Sequence, residues 1–431
     1  MIAIKNIQIY DFHHYIPSGF VVFDETIKAV GAMTDFSGDY DYIIDGEHQL
    51  LMPGFINGHN HIYSTFARGM TVPFNPTSFQ ELLEQLWWKL DRHLDLDAVY
   101  YCAMINGIEH VKHGTTTIID HHASGTIQGS LDAINKALTQ IGLRKILCFE
   151  TSDRFDVDDC IKENQQYVDS QSATTAGLVG LHASLTLSDK TLQQIQETFP
   201  HQPIHIHVAE SIEDQEHTLK HHQCRVVKRL DQFGLVREDS ILAHGIYLSD
   251  DELDIIKKRK AVMAFNVTSN MNNGVGLPDY HLFKQRGIPV IIGNDGISTQ
   301  ITSEYQAVYY AMHHQSTSPI GFNFQDVIDM IDSTYQYASR RLGVSLGRVQ
   351  PGYTADLQLI VYQPPTPMTT NNMFGHLFFG LFSNWNPSNV FINGQQVLRN
   401  RNLQMEEQDI YQQAQNAALR VWDKIAKEGK Q

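Results

Sequence analysis

The feature that most constrains this 431-residue chain is a repeat of eight short apolar runs. They are Leu51–Asn57, Thr115–Asp120, Lys145–Thr151, Gly177–His182, Pro203–Val208, Ser240–His244, Ala261–Asn266 and Pro289–Asn294. Between them lie stretches of helical period, among them 97–113, 130–141, 189–198, 215–233, 249–259 and 303–313. Apolar strands separated by helices make a parallel sheet covered on both faces. Eight such units over about 300 residues favour a closed (β/α)8 TIM-type barrel over an open doubly wound sheet. No GxGxxG follows the first run, so the dinucleotide-binding alternative lacks its main support.

Both chain ends read differently. Residues 1–52 carry short β-rich segments punctuated by turns, and 350–403 resemble them. Asp356–Tyr362 reads as a strand stopped by Pro364-Pro365, and Asn389–Ile392, Asn393-Gly394 and Gln395–Leu398 read as strand, turn and strand. The expectation is an α/β chain with a barrel over 53–349, a small β-sandwich built from 1–52 and 350–403, and a C-terminal helix over 404–431.

Composition narrows the partners. The formal net charge of −16 repels phosphate backbones and anionic lipid, so neither nucleic acid nor membrane is an expected partner. Two charged runs, 405–409 and 424–430, read as solvated helix faces. No apolar run approaches the roughly 18 residues of a membrane span, and the N-terminus lacks the apolar stretch of a signal peptide. Four scattered cysteines form no CxxC, which argues against a disulfide framework and for a cytoplasmic protein.

Histidine is the unusual residue: there are 22. At that density chance alone produces about one His-x-His pair, so the motif by itself says little. Position says more. The strand ends carry His59-Asn60-His61, His121-His122, His182, His205-Ile206-His207, His244 and Asp295. Active sites of such barrels lie at the C-terminal strand ends. His59 and His61, two apart, share one strand face. With His207 and Asp295 arriving from other strands, they form a site for one divalent ion, Zn²⁺ first and Fe or Mn as alternatives.

The run Pro53-Gly54-Phe55-Ile56-Asn57-Gly58-His59-Asn60-His61 resembles the PGxxxxHxH signature of the amidohydrolase superfamily. His207-Val208-Ala209-Glu210 is similar to the HxxE of its deaminase and chlorohydrolase branch, where His244 and Asp295 also have counterparts. Phe265–Met271 resembles that branch's NPxSNM segment, with Val267 in place of the usual proline. Pro351–Leu357 resembles its PGxxADL. Within the branch, Leu86–Arg92, Ile119–Ser124, Ser269–Asn273, Pro364–Pro367 and Gly375–Leu377 are most similar to SsnA-type aminohydrolases.

The resemblance implies one metal, and the fourth strand, 177–184, has no lysine that could be carboxylated to bridge a second. It implies hydrolytic deamination of a purine-, pterin- or triazine-like ring. Glu210 would be the general acid at a ring nitrogen, Asp295 the acceptor of the water's proton, and His244 a hydrogen-bond partner of the water or developing oxyanion. His182, His121, His122 and Asn270 are expected to contact substrate. His205 is expected to pack or to orient a ligand through a hydrogen bond, and Trp87 and Trp88 to pack in the core or at an interface, with one of them walling a planar substrate as the alternative. Cyclic-amide hydrolysis, dechlorination and an inactive scaffold are the competing readings. A homodimer or higher homo-oligomer is implied by the resemblance alone.

Overall fold

The computed structural model describes residues 1–428. Residues 429–431, which close the charged run 424–430 and the expected element 404–431, lie outside the described residues. The chain opens with β1 (Ile2–Tyr10), β2 (Tyr15–Phe23), β3 (Ile27–Ala32), β4 (Tyr42–Asp45) and β5 (Leu50–Pro53). One edge of β1 pairs with β2; the other pairs with β4 along Ile2–Lys5 and then with β5 at Gln8 and Ile9. The β1–β2 register shifts between Ile4 and Ile7, where Asn6 sits at a φ of 53°. An irregularity of this kind bends a strand, which lets two partners share one edge.

The middle of the chain supplies β6 (Phe55–Asn60), β7 (Thr115–His122), β8 (Arg144–Phe149), β9 (Thr175–Gly177), β10 (Val179–Ala183), β11 (Ile204–Val208), β12 (Ile241–His244), β13 (Val262–Phe265) and β14 (Val290–Ile292). All their pairings are parallel. β6 to β9 make one arc and β10 to β14 the other. Isolated parallel bridges, Thr151 to Leu181 and Asn60 to Asp295, span the two seams.

Two expected elements are each split. The apolar run Leu51–Asn57 is not one strand, because β5 belongs to the antiparallel sheet and β6 to the parallel one. The change falls at Gly54, whose N–H donates to the Asp356 carbonyl while Phe55 N–H donates to that of Gly114. A Cβ at Gly54 would lie 2.2 Å from Thr116 Cγ2. Periodicity cannot register a change of hydrogen-bonding partner inside an apolar run. The stretch 215–233 is two helices, Ile212–His222 and Val226–Gln232, because Gln223 turns left-handed at φ 56°. A 19-residue helix, Phe324–Leu342, escaped the periodic reading although Asn323 and Asp326 close a capping box at its start.

The chain returns through β15 (Leu357–Ile360), β16 (Asn389–Ile392), β17 (Gln395–Arg399) and β18 (Asn402–Leu403). Asn393 and Gly394 join β16 to β17 at φ 52° and 75°, the left-handed pair that a two-residue type I′ hairpin turn requires. β15 pairs antiparallel with β5. The hydrogen bonds thus make one continuous nine-stranded sheet from both chain ends, in which β1 lends one edge to both β4 and β5. A last helix, Glu407–Glu428, packs on the helix Leu96–Lys112. Among the described residues no helix is long and apolar enough to cross a membrane.

Candidate metal centre

The first and last parallel strands meet at two glycines. A Cβ at Gly58 would stand 2.7 Å from the Ile292 carbonyl oxygen, and one at Gly293 would stand 2.5 Å from the backbone of His59. This approach lets Asp295 N–H donate to the His59 carbonyl at 3.0 Å and His61 N–H donate to that of Asp295 at 3.3 Å. Asp295 is thereby placed against the His-x-His pair by backbone alone.

Four imidazoles converge with the carboxylate, and each is held from behind through Nδ1. His61 Nδ1 lies 2.7 Å from the His121 carbonyl oxygen, and His207 Nδ1 lies 2.9 Å from that of His182. His244 Nδ1 lies 2.7 Å from Asn270 Oδ1. Carbonyl oxygens only accept, so these Nδ1 atoms carry hydrogen and the Nε2 lone pairs point inward. His59 Nδ1 lies 2.7 Å from His205 Nε2, and His205 Nδ1 lies 3.7 Å from Cys148 Sγ. The imidazole of His205 therefore stands where a carboxylate or carbonyl usually orients a ligand histidine.

Two of the inward atoms are left without partners. His59 Nε2 and His244 Nε2 are buried and make no hydrogen bond. His61 Nε2 lies 3.1 Å from His207 Nε2 and 3.1 Å from Asp295 Oδ1. Two Zn–N bonds of tetrahedral geometry separate their nitrogens by about 3.3 Å. One ligand atom each from His59, His61 and His207, and likewise from His59, His244 and Asp295, fall within 4.8 Å of one another. Facing lone pairs repel unless a cation or proton lies between them, so this donor set fits a divalent ion of borderline softness.

The electrostatics agree. Burial holds His59 and His207 well below the ordinary imidazole pKa, with neighbouring imidazoles adding to the effect. Burial presses the same way on His61, but the Asp295 carboxylate outweighs it and lifts that ring to about 9, so that without a cation between them a proton occupies His61 Nε2 in the place a metal would take. Burial would raise Asp295, yet His61 more than reverses it and the carboxylate stays ionised.

Three corners of the site are strained. Ala209, His244 and Asp295 sit at φ 48°, 72° and 56°. Such left-handed backbone costs about 1–2 kcal/mol per non-glycine residue. It recurs where strands β11, β12 and β14 give out, and it brings Glu210, His244 and Asp295 to one cavity. Glu210 Oε2 lies 3.4 Å from His244 Nε2, while Glu210 Oε1 accepts from Asn273 Nδ2 at 3.4 Å. Burial raises the Glu210 pKa. Asp214 Oδ2 accepts from Ala209 N–H at 2.9 Å, which holds the strained turn.

His182 lines this cavity, as do His61, His207, Glu210, His244 and Asp295. Three expected substrate contacts do not. His121 is buried beneath the imidazole cluster, its Nε2 2.9 Å from the Leu181 carbonyl oxygen. His122, its neighbour on β7, turns the other way and pairs with Ser124 Oγ at 3.0 Å. Asn270 is fully buried and reaches the cavity only through His244. Trp87 and Trp88, expected first to pack and only second to wall a substrate, both line the cavity, as do Tyr63, Asp91, Glu150 and Arg154. Tyr63, Trp87, Trp88 and Asp91 come from the segment Ile62–His93, away from any strand end, whereas Glu150 and Arg154 follow the end of β8, which carries no histidine.

Comparison with known proteins supplies the class. The model of the amidohydrolase family matches residues 50–397, and the chain belongs to that family. It is similar to a 5-methylthioadenosine/S-adenosylhomocysteine deaminase of Syntrophomonas wolfei, 25% identical over 94% of this chain and 95% of the relative. It is also similar to a 5'-deoxyadenosine deaminase of Methanocaldococcus jannaschii, 25% identical over 96% and 98%. A solved adenosine deaminase from Xanthomonas campestris with bound zinc shares the fold at a TM-score of 0.84 and 18% identity, covering 97% of this chain and 98% of that one.

Proposed function

We propose that this protein is a metal-dependent hydrolase that deaminates a small aminated heterocycle and releases ammonia. The observation that carries the reading is the convergence of His59, His61, His207 and Asp295, each imidazole held from behind, with Glu210 and His244 beside them. The relatives' names, both deaminases of adenosine derivatives, support the reaction class. The two seam bridges support a closed (β/α)8 barrel over 53–349, which we read as flanked by a small domain from 1–52 and 350–403 and followed by the helix Glu407–Glu428.

We assign the ion to His59, His61, His207 and Asp295, with zinc the first choice. A bound divalent ion supplies an acidified water as nucleophile near neutral pH. No lysine lines the cavity among the described residues, which supports one ion and not two. Asp295 accepts a proton from the attacking water. His244, kept as the Nδ1–H tautomer by Asn270, presents the Nε2 lone pair to a hydrogen of the water. Glu210, whose burial favours its protonated form, gives its proton to the ring nitrogen beside the attacked carbon. Water's oxygen bonds to that carbon, the proton held by Asp295 passes to the amino group, the carbon–amine bond breaks and ammonia leaves, while the remaining hydroxyl proton returns to Glu210 and leaves a ring carbonyl beside the protonated nitrogen.

The test is ammonia release by zinc-loaded protein across aminated purines, pterins, pyrimidines and triazines, with His59→Ala as control. Release that vanishes in the control is expected. Metal-loaded protein silent across the whole panel would overturn the reading. Glu210→Ala should keep its metal and lose at least about 100-fold in kcat.

A further inference from the structure

A second group of imidazoles lies outside the centre described above. The helix Ile212–His222 carries His217 and His221 one turn apart on one face and ends in His222. His217 and His221 are exposed and His222 is half-buried. The rings of His217 and His221 lie 4.4 Å apart between centroids, with 35° between their planes. For His61 and His207, which face one another across the assigned ion site, the same quantities are 5.1 Å and 29°. Two imidazoles at i and i+4 on a helix can close on one divalent ion from the same side.

The place of these residues on the helix bears on their role. Positive charge is favoured in the last turn of a helix, where it meets the exposed carbonyls. That accounts for Lys220, His221 and His222. His217 lies further in and gains little from it. Two protonated rings on neighbouring turns would repel. Burial holds His217 below the ordinary imidazole pKa, with His221 and His222 adding to the effect. The ring therefore keeps a lone pair to offer near neutral pH. His222 is engaged elsewhere, its Nδ1 3.2 Å from Asp189 Oδ1.

All three histidines line a cleft together with Thr186, Leu187 and Ser188. Arg154 and Leu185 line both this cleft and the cavity of the metal centre. Arg154 is anchored in that shared wall, its Nη2 donating to Asp91 Oδ2 at 2.8 Å and to Glu150 Oε1 at 3.0 Å. None of His59, His61, His207 and Asp295 lines the cleft. An ion bound there would be separate from the one assigned above.

We propose that His217 and His221 form a second metal site, which takes one divalent transition ion of the zinc type and leaves the remaining coordination to solvent. Imidazole donors select such ions over magnesium and calcium. The site is the weaker of the two, because it offers two protein donors in place of four and stands in water. It takes no part in the reaction and does not depend on the deaminase reading.

The test is zinc binding to the full-length protein, resolved by competition with chelators of graded affinity. Two classes of bound zinc are expected. His217→Ala and His221→Ala should each weaken the second class at least about tenfold, since each removes one arm of a two-armed chelate. Both should leave the first class unchanged, and His59→Ala should do the opposite. Excess magnesium should displace neither class. A single class that His59→Ala abolishes, a second class unmoved in both surface variants, loss of both classes in either folded variant, or displacement of the second class by magnesium would each overturn the proposal. A single class that His217→Ala abolishes would leave this site standing and sink the first centre.

Discussion

At the scale of single residues, the centre is built by outer contacts as much as by the ligand histidines themselves. His59 depends on His205, whose own Nδ1 faces Cys148, so a chain of tautomers runs from a buried thiol to the candidate ligand. Outer contacts of this kind are worth about 10–100-fold in metal affinity. His205→Ala should therefore weaken zinc binding by that factor in a chelator competition, with the fold intact by circular dichroism. Unchanged affinity would assign His205 to packing. The strand-end histidines and Glu210 could be picked out in the sequence because strand ends are where barrels keep reactive groups. The roles of Asn270, His121 and His122 could not, since each depends on which way one side chain turns from a helix or a strand end.

At the scale of elements, the β6–β14 seam is the part of the architecture on which the centre most depends. Gly293→Ala would drive a methyl group to within 2.5 Å of the His59 backbone. Overpacking of this sort costs about 1–3 kcal/mol, and here the strand that must move carries His59. The variant should unfold at lower denaturant and bind less zinc; wild-type values for both would remove the seam from the account. A second element-level feature is Glu304, buried at the start of the helix Val267–Asn273, which carries Asn270 and Asn273. Its Oε1 accepts from Thr268 N–H at 2.9 Å, while Oε2 has no partner. Burial raises this carboxyl from 4.5 to about 7. The folded state then binds a proton that the unfolded chain has released, so stability falls as pH rises from about 4.5 to 7, by up to about 3 kcal/mol. Glu304→Gln should be the more stable protein at pH 8 and lose that lead at pH 5. A lead independent of pH in urea titrations would refute the assignment.

At the scale of the whole molecule, the parallel and antiparallel sheets are joined by more than the chain crossing at Gly54. Arg144, fully buried on β8, grips Asp356 with Nε and Nη2, both at 2.8 Å, and Nη2 also donates to Asn393 Oδ1 at 3.0 Å. Asp356 Oδ1 in turn accepts from Asn393 N–H at 2.9 Å, at the hairpin turn between β16 and β17. Breaking a buried pair by removing one partner costs about 3–5 kcal/mol, because the other charge is stranded. Asp356→Ala should lower the denaturation midpoint accordingly, and Asp356→Asn by less. Equal midpoints for all three proteins would show that the two sheets are held by packing alone.

The sequence by itself determined the alternation of strands and helices, the β-rich ends, the turn at Asn393-Gly394 and the strand ends that carry histidine, aspartate and glutamate. These are properties of local period, turn chemistry and order along the chain. The tertiary structure alone decided the split of 51–57 between two sheets, the branching of β1, the burial of His121 and His122, and the capture of Arg154 by Asp91 and Glu150. Each of these depends on what a residue meets from a distant part of the chain. Arg154 and Asp91 are 63 positions apart, and no pattern within either segment records that they touch.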